Sequence, residues 1–261
     1  MTDSVLYAVS DAVATITLNR PRVMNALDGE MIRGLRAACE EIERDTAVRA
    51  AVVRGAGPAF LASKNVSVFH ANLPRMTELI RAFADELHHA ILALRRAPKP
   101  VLASVHGPVA GAGVSLMAAA DLAIAASDAT FTLAYSRLGA SPDGGVTHFL
   151  PRLVGQRKAF ELMLLSDAID ARAALAFGLV NWTVEREALD AETHRIARRL
   201  ALGATRAFAE TKLLVNDSFD RTLAGQLAAE IEAFARCAGT GDFAEGVCAF
   251  VQKRKPEFKG N

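Results

Sequence analysis

Three stretches of this chain carry residues whose types and spacing could do chemistry. The first, His106-Gly107-Pro108-Val109-Ala110-Gly111-Ala112-Gly113, leads straight into the apolar run Val114 to Ala120. A strand, a glycine turn and a helix start in that order leave backbone N–H groups without helical acceptors, and such donors suit an oxyanion. The same glycines serve equally well to let a helix lie close on a sheet, and residue type alone does not choose between the two. The second, Ala59-Phe60-Leu61-Ala62-Ser63-Lys64-Asn65-Val66, also follows a buried strand. Its backbone could meet the first turn across the carboxyl ends of neighbouring strands, where open α/β sheets bind ligands. The third, Leu138-Gly139-Ala140-Ser141-Pro142-Asp143-Gly144-Gly145, holds one carboxylate just ahead of a candidate helix. By residue type Asp143 reads first as a helix N-cap; as chemistry it is a single acid/base group.

The elements that must position these stretches are legible from periodicity. Val5 to Val9 and Ala12 to Leu18, rich in β-branched residues and separated by Ser10-Asp11, predict an edge hairpin. Asp28 predicts the N-cap of a helix to about Arg44 with Met31, Leu35, Ala38 and Ile42 on its apolar face. A buried strand at Ala50 to Arg54 follows, closed by Gly55-Ala56-Gly57-Pro58. The alternation continues with a helix at Met76 to Arg95, a strand at Val101 to Val105, a helix from Gly113 and a strand at Leu122 to Ala125. Strands alternating with helices of this length predict an α/β fold with a mainly parallel sheet. From about Val154 the helical period takes over, with helices near 155–165, 171–177, 187–201, 204–216, 220–236 and 240–253. On the fifth of these, Leu223, Leu227, Ile231 and Phe234 form an apolar stripe that is either core or a subunit interface.

Whole-chain properties remove several function classes. Over 261 residues the formal charge is +1 and 51% of residues are apolar, which gives no basic footprint for nucleic acid. Cys39, Cys237 and Cys248 have neither metal-ligand spacing nor the pattern of a disulfide framework, and predict a reducing, cytoplasmic compartment. The six histidines, at 70, 88, 89, 106, 148 and 194, are scattered, so no metal site is expected. The most apolar stretch, Val109 to Ala126, carries Asp121, which would be costly at a bilayer centre, so no membrane span is expected. The start of the chain reads as folded domain, without a targeting signal. The third glycine position of a dinucleotide fingerprint is Leu116, and no phosphate-loop, zincin or GxSxG pattern occurs.

Together these pieces resemble one known family. Ile16-Thr17-Leu18-Asn19-Arg20-Pro21 leading to Asn25-Ala26-Leu27, the Ala59 to Val66 loop, Lys99-Pro100 through Leu116, Asp121, Pro142 through Gly145, and the Phe243 to Phe258 ending are similar to the crotonase, or enoyl-CoA hydratase/isomerase, superfamily. The resemblance covers nearly the whole chain, and the Ala-Gly-Ala-Gly turn and Ser-Pro-Asp-Gly-Gly segment look closest to the phenylacetate-pathway ring-epoxide and enoyl-CoA isomerase subgroup. It implies a spiral of repeated ββα units over residues 1–195 and a helical trimerisation extension over 196–261, with protomers in trimers or dimers of trimers.

The resemblance also implies a site. Acyl-CoA thioesters would be bound with coenzyme A as part of the substrate and no separate cofactor. The N–H groups of Lys64 and Ala112 would hold an enolate oxyanion. Arg22, Val23, Met24 and Ala62 would grip the coenzyme A end, and Asn65, Ser115 and Tyr135 would line the acyl site. Hydratases of the family carry two glutamates, whose matching positions hold Ser115 and Tyr135 here. Asp143 matches the acidic residue that isomerases of the family use for proton transfer, which raises it from cap to base. The expectation is an isomerase that moves a double bond, with an enoyl-CoA hydratase as the alternative. At the first oxyanion loop the usual Ala-Gly-x-Asp reads Ala62-Ser63-Lys64-Asn65, a departure that keeps a catalytically degenerate CoA-ester binding protein as a further alternative.

Overall fold

The computed structural model of the protein describes residues 3–62 and 66–261. The chain opens with β1 (Val5–Ser10), β2 (Val13–Leu18), α1 (Gly29–Arg44), β3 (Ala50–Gly55), β4 (Leu61–Ala62), α2 (Val66–Ala71) and α3 (Met76–Arg96). It continues with β5 (Val101–Val105), β6 (Pro108–Ala110), α4 (Ala112–Ala118), β7 (Leu122–Ala126), β8 (Thr130–Thr132), α5 (Val146–Val154), α6 (Gln156–Leu165), β9 (Ile169–Asp170), α7 (Ala171–Ala176) and β10 (Trp182–Val184). Four helices close the chain: α8 (Leu189–Ala201), α9 (Thr205–Asp217), α10 (Leu223–Ala238) and α11 (Gly241–Val251).

The strands form two sheets. The larger has the order β1-β2-β3-β5-β7-β10, antiparallel only at the β1–β2 hairpin, and the smaller has the order β4-β6-β8-β9. Each of β3, β5 and β7 belongs to the large sheet and is followed by a short strand of the small one, then by helix, which generates the ββα spiral. The short strands β4, β6 and β8 have too few residues for a period to be read, so periodicity alone missed them. The hairpin turn falls at Asp11-Ala12, both with positive φ, one residue beyond the predicted Ser10-Asp11. That register sends Ala14, Ile16 and Leu18 into the core together, and a one-residue slip would expose all three.

Alternation along the central strands explains the two hydrophobic layers. Ile16, Val53, Ala103 and Ala123 face one side, where they meet α1 residues Met31, Leu35, Ala38 and Ile42, all fully buried as the spacing predicts. The Asp28 carboxylate caps α1 by accepting from the Met31 N–H at 3.0 Å. On the other side Val52, Leu102 and Ile124 meet Leu189, Ile196 and Ala197 of α8. Helix α8 therefore runs through residue 195 as a layer packed on the sheet.

Beyond α8, polar ties hold the last helices. Lys212 of α9 pairs with Asp121 at 2.9 Å and donates to the Leu94 carbonyl at 2.7 Å, while Asp121 also accepts from the Val101 N–H at 2.8 Å. Burial pushes the Lys212 ammonium below its usual pKa, and the Asp121 carboxylate works against that shift. The stripe Leu223, Leu227, Ile231 and Phe234 on α10 is not core: within this chain those side chains are 76%, 51%, 68% and 68% exposed.

Candidate active site

The small sheet brings the first two sequence stretches together. Strand β4 runs parallel to β6, with Leu61 opposite Val109 and Ala62 opposite Ala110. The chain leaves both strands at the same end, into Ser63-Lys64-Asn65 from one and Gly111-Ala112 from the other. Lys64 and Asn65 lie outside the described residues. At the second exit Gly111 adopts φ 52° and ψ −114° and donates its N–H to the Thr132 carbonyl at 2.9 Å. Its own carbonyl accepts from Val114 and Ser115 at 3.0 and 3.3 Å. Ala112, first residue of α4, has no acceptor for its N–H inside the helix, the geometry of a donor available to a ligand.

The packing reading of the glycine turn is visible directly. A Cβ on Gly113 would lie 2.4 Å from the Leu61 carbonyl oxygen, so close packing of α4 on β4 requires glycine there. That approach sets the start of α4 beside the end of β4.

Asp143 is not a helix cap. Helix α5 begins at Val146 with Gly145, at φ 77°, in the cap position, because consecutive left-handed glycines 144 and 145 turn the chain after Asp143. The partly buried Asp143 is instead held from several elements. The Tyr135 hydroxyl donates to its Oδ1 at 2.7 Å, and Ser115 Oγ of α4 donates to its backbone carbonyl at 2.8 Å. The next residue, Gly144, donates its N–H to Nε2 of His88 on α3 at 3.3 Å. Burial first, then the nearby Asp143 charge, raises the Tyr135 phenol pKa well above the usual tyrosine value, so its hydroxyl stays a donor. Ser115 and Tyr135, expected in the acyl site, thus also support Asp143, and neither offers a base near neutral pH.

The turn that holds Arg22, Val23 and Met24 meets Ala62 at the end of β4. Arg22 and Val23 lie in a short turn, and the Met24 carbonyl accepts from the Ala62 N–H at 3.0 Å. Met24 and Asn25 are successive non-glycine residues with positive φ, 51° and 57°. A buried side chain stabilises that strained turn. The Asn25 amide donates to the carbonyls of Ala56, Ala59 and Phe60 at 2.9, 2.8 and 3.2 Å, and its Oδ1 accepts from the Arg20 N–H at 2.7 Å. Asn25 therefore ties the turn to the loop that leads into β4. His106 holds the same loop through Nε2, which donates to the Gly57 carbonyl at 2.9 Å. Sequence reasoning singled out neither residue for this role, because a lone Asn or His carries no periodicity. Among the described residues no three His, Cys, Asp or Glu side chains gather as metal ligands.

Comparison with known proteins decides the family. The enoyl-CoA hydratase/isomerase family model matches residues 8–261. A Rhodobacter capsulatus protein named a probable enoyl-CoA hydratase is 38% identical over 98% of each chain. The 1,2-epoxyphenylacetyl-CoA isomerase of Escherichia coli is 35% identical over the whole of both. The crystal structure of an enoyl-CoA hydratase from Polaromonas sp. JS666 superposes with a TM-score of 0.93 at 34% identity, over 98% of this chain and 99% of that one. The chain belongs to the enoyl-CoA hydratase/isomerase family. It is an enzyme of that family with the crotonase fold, and its relatives carry both hydratase and isomerase names.

Proposed function

We propose that this enzyme isomerises an unsaturated acyl-CoA, with Asp143 as the single acid/base. The observation that carries this reading is the partly buried Asp143 carboxylate, hydrogen-bonded by Tyr135 at 2.7 Å, with a serine and a tyrosine where a second carboxylate would be needed for hydration. Asp143 takes a proton from one carbon next to the thioester-conjugated system and returns it to another, so the double bond moves. Between the two transfers the negative charge rests on the thioester oxygen, and the N–H groups of Lys64 and Ala112 stabilise it. Backbone donors suit this task because they need no reorganisation as the charge develops.

The exposed Arg22, Val23 and Met24, with Ala62, would bind the coenzyme A end, while Asn65, Ser115 and Tyr135 border the acyl group. Coenzyme A enters as part of the substrate. The exposed apolar stripe on α10 supports assembly through the helical extension into a homotrimer or a dimer of trimers. A cytoplasmic location is supported by three free cysteines.

The test is proton NMR of a 3-enoyl-CoA in deuterated water with the native enzyme and Asp143→Asn. Double-bond migration with deuterium uptake, lost in the variant while thioester binding persists, is the expected outcome. Turnover retained by Asp143→Asn would remove Asp143 from its role. Water addition to a 2-enoyl-CoA without migration would establish the hydratase instead, and binding with no exchange would indicate a CoA-ester binding protein.

A further inference from the structure

A base that removes a proton from one carbon and delivers it to another must stay within about 3 Å of both, so its orientation has to be restrained. An aspartate side chain rotates about two torsions and supplies no such restraint itself. Here the restraint comes from neighbours. Ser115 Oγ fixes the main chain of Asp143 at 2.8 Å, and Gly144, at φ 66°, leaves that loop no slack, because a Cβ there would lie 2.8 Å from Ser115 Cβ. The carboxylate itself is held by Tyr135, whose ring packs against the main core and whose hydroxyl donates to Oδ1 at 2.7 Å.

Resting on the reading of Asp143 as the acid/base, we propose that Tyr135 is a positioning residue, whose phenol O–H locks the Asp143 carboxylate in the orientation that serves both proton transfers. Tyr135 faces Asp143 from the segment after β8, Ser115 from α4, and His88 from α3 through the Gly144 N–H. Burial and the Asp143 charge keep the phenol protonated, so the restraint does not switch off across the working pH range.

Tyr135→Phe removes only the hydroxyl. The expected result is a fall in kcat of about tenfold, the least that a hydrogen bond to a charged group should account for. KM should stay within about twofold, because the hydroxyl orients the base and does not hold the thioester. A second measurement uses the intact enzyme. The chain has only two tyrosines, Tyr7 and Tyr135, so 13C labelling of the tyrosine Cζ gives two signals. The Tyr135 signal should shift between the native enzyme and Asp143→Asn, because its phenol loses a charged acceptor, while the Tyr7 signal is the same in both proteins. Unchanged kcat in Tyr135→Phe, or a Tyr135 signal indifferent to Asp143→Asn, would overturn the proposal. Turnover surviving in Asp143→Asn would overturn the underlying reading instead, so the two failures are distinct.

Discussion

At the scale of single residues, the site is supported by polar side chains with defined partners. Asn25 satisfies three backbone carbonyls of the loop before β4, and His106 satisfies a fourth, that of Gly57. The His106 imidazole is buried, and that burial lowers its pKa below the usual histidine value. The consequence for stability has a definite sign. Above a pH of about 6.5 both folded and unfolded chains carry neutral imidazole at this position, and no difference arises. Below it the unfolded chain takes up a proton that the folded chain resists, so stability falls as pH drops toward the folded pKa. Urea midpoints measured from pH 8 to pH 5 should therefore decline on the acid side, and less steeply in His106→Asn, whose amide can still donate to Gly57. His148, also lowered mainly by burial, contributes to what remains. Equal slopes in the two proteins would rule His106 out as the source.

At the scale of elements, the decisive contact is α4 against β4. Helix α4 is buried along all seven residues and starts where β6 ends, beside the strand that leads to Lys64. Its approach depends on Gly113, since a methyl group would meet the Leu61 carbonyl at 2.4 Å and force α4 and β4 apart. Overpacking of this kind costs about 1–3 kcal/mol. Gly113→Ala should lower the unfolding free energy, read from urea titration, by that amount and reduce kcat more than thioester affinity, because the two loop exits separate while the Arg22 to Met24 turn is untouched. A variant with full activity would show that the spacing of α4 and β4 does not control the chemistry. Most of these elements are legible in the sequence: the apolar face of α1 follows from helical spacing, α3 is expected over Met76 to Arg95, and β3, β5 and β7 follow from apolar runs between turn signals. The small sheet was not, because β4, β6 and β8 have two or three residues each and are held by pairing with one another.

At the scale of the whole molecule, the unpartnered surface lies on the last helices. Leu223, Ile231 and Phe234 project from α10 at 76%, 68% and 68% exposure, and Phe250 of α11 at 86%. Apolar residues clustered on this scale mark an association surface, consistent with the proposed homotrimer or dimer of trimers. Light scattering coupled to size-exclusion chromatography should give three or six protomers for the native chain and a smaller species for Ile231→Glu, whose charge would be buried in the interface. A monomeric native protein would leave the stripe without that role.

Order along the chain and residue type determined the α/β alternation, the apolar faces, the helical final third and the set of turns from which a site could be made, because these depend on local spacing and turn chemistry. They also placed Asp143 within reach of two explanations, cap or base. Only the tertiary structure removed the cap: Gly144 and Gly145 turn the chain so that α5 starts beyond Asp143, and Tyr135 and Ser115 close on it from elsewhere in the fold. The same holds for the α10 stripe, whose spacing fits core and interface alike. Whether a periodic face is covered depends on what the rest of the chain packs against it, and nothing among the described residues does so fully for Leu223, Leu227, Ile231 or Phe234.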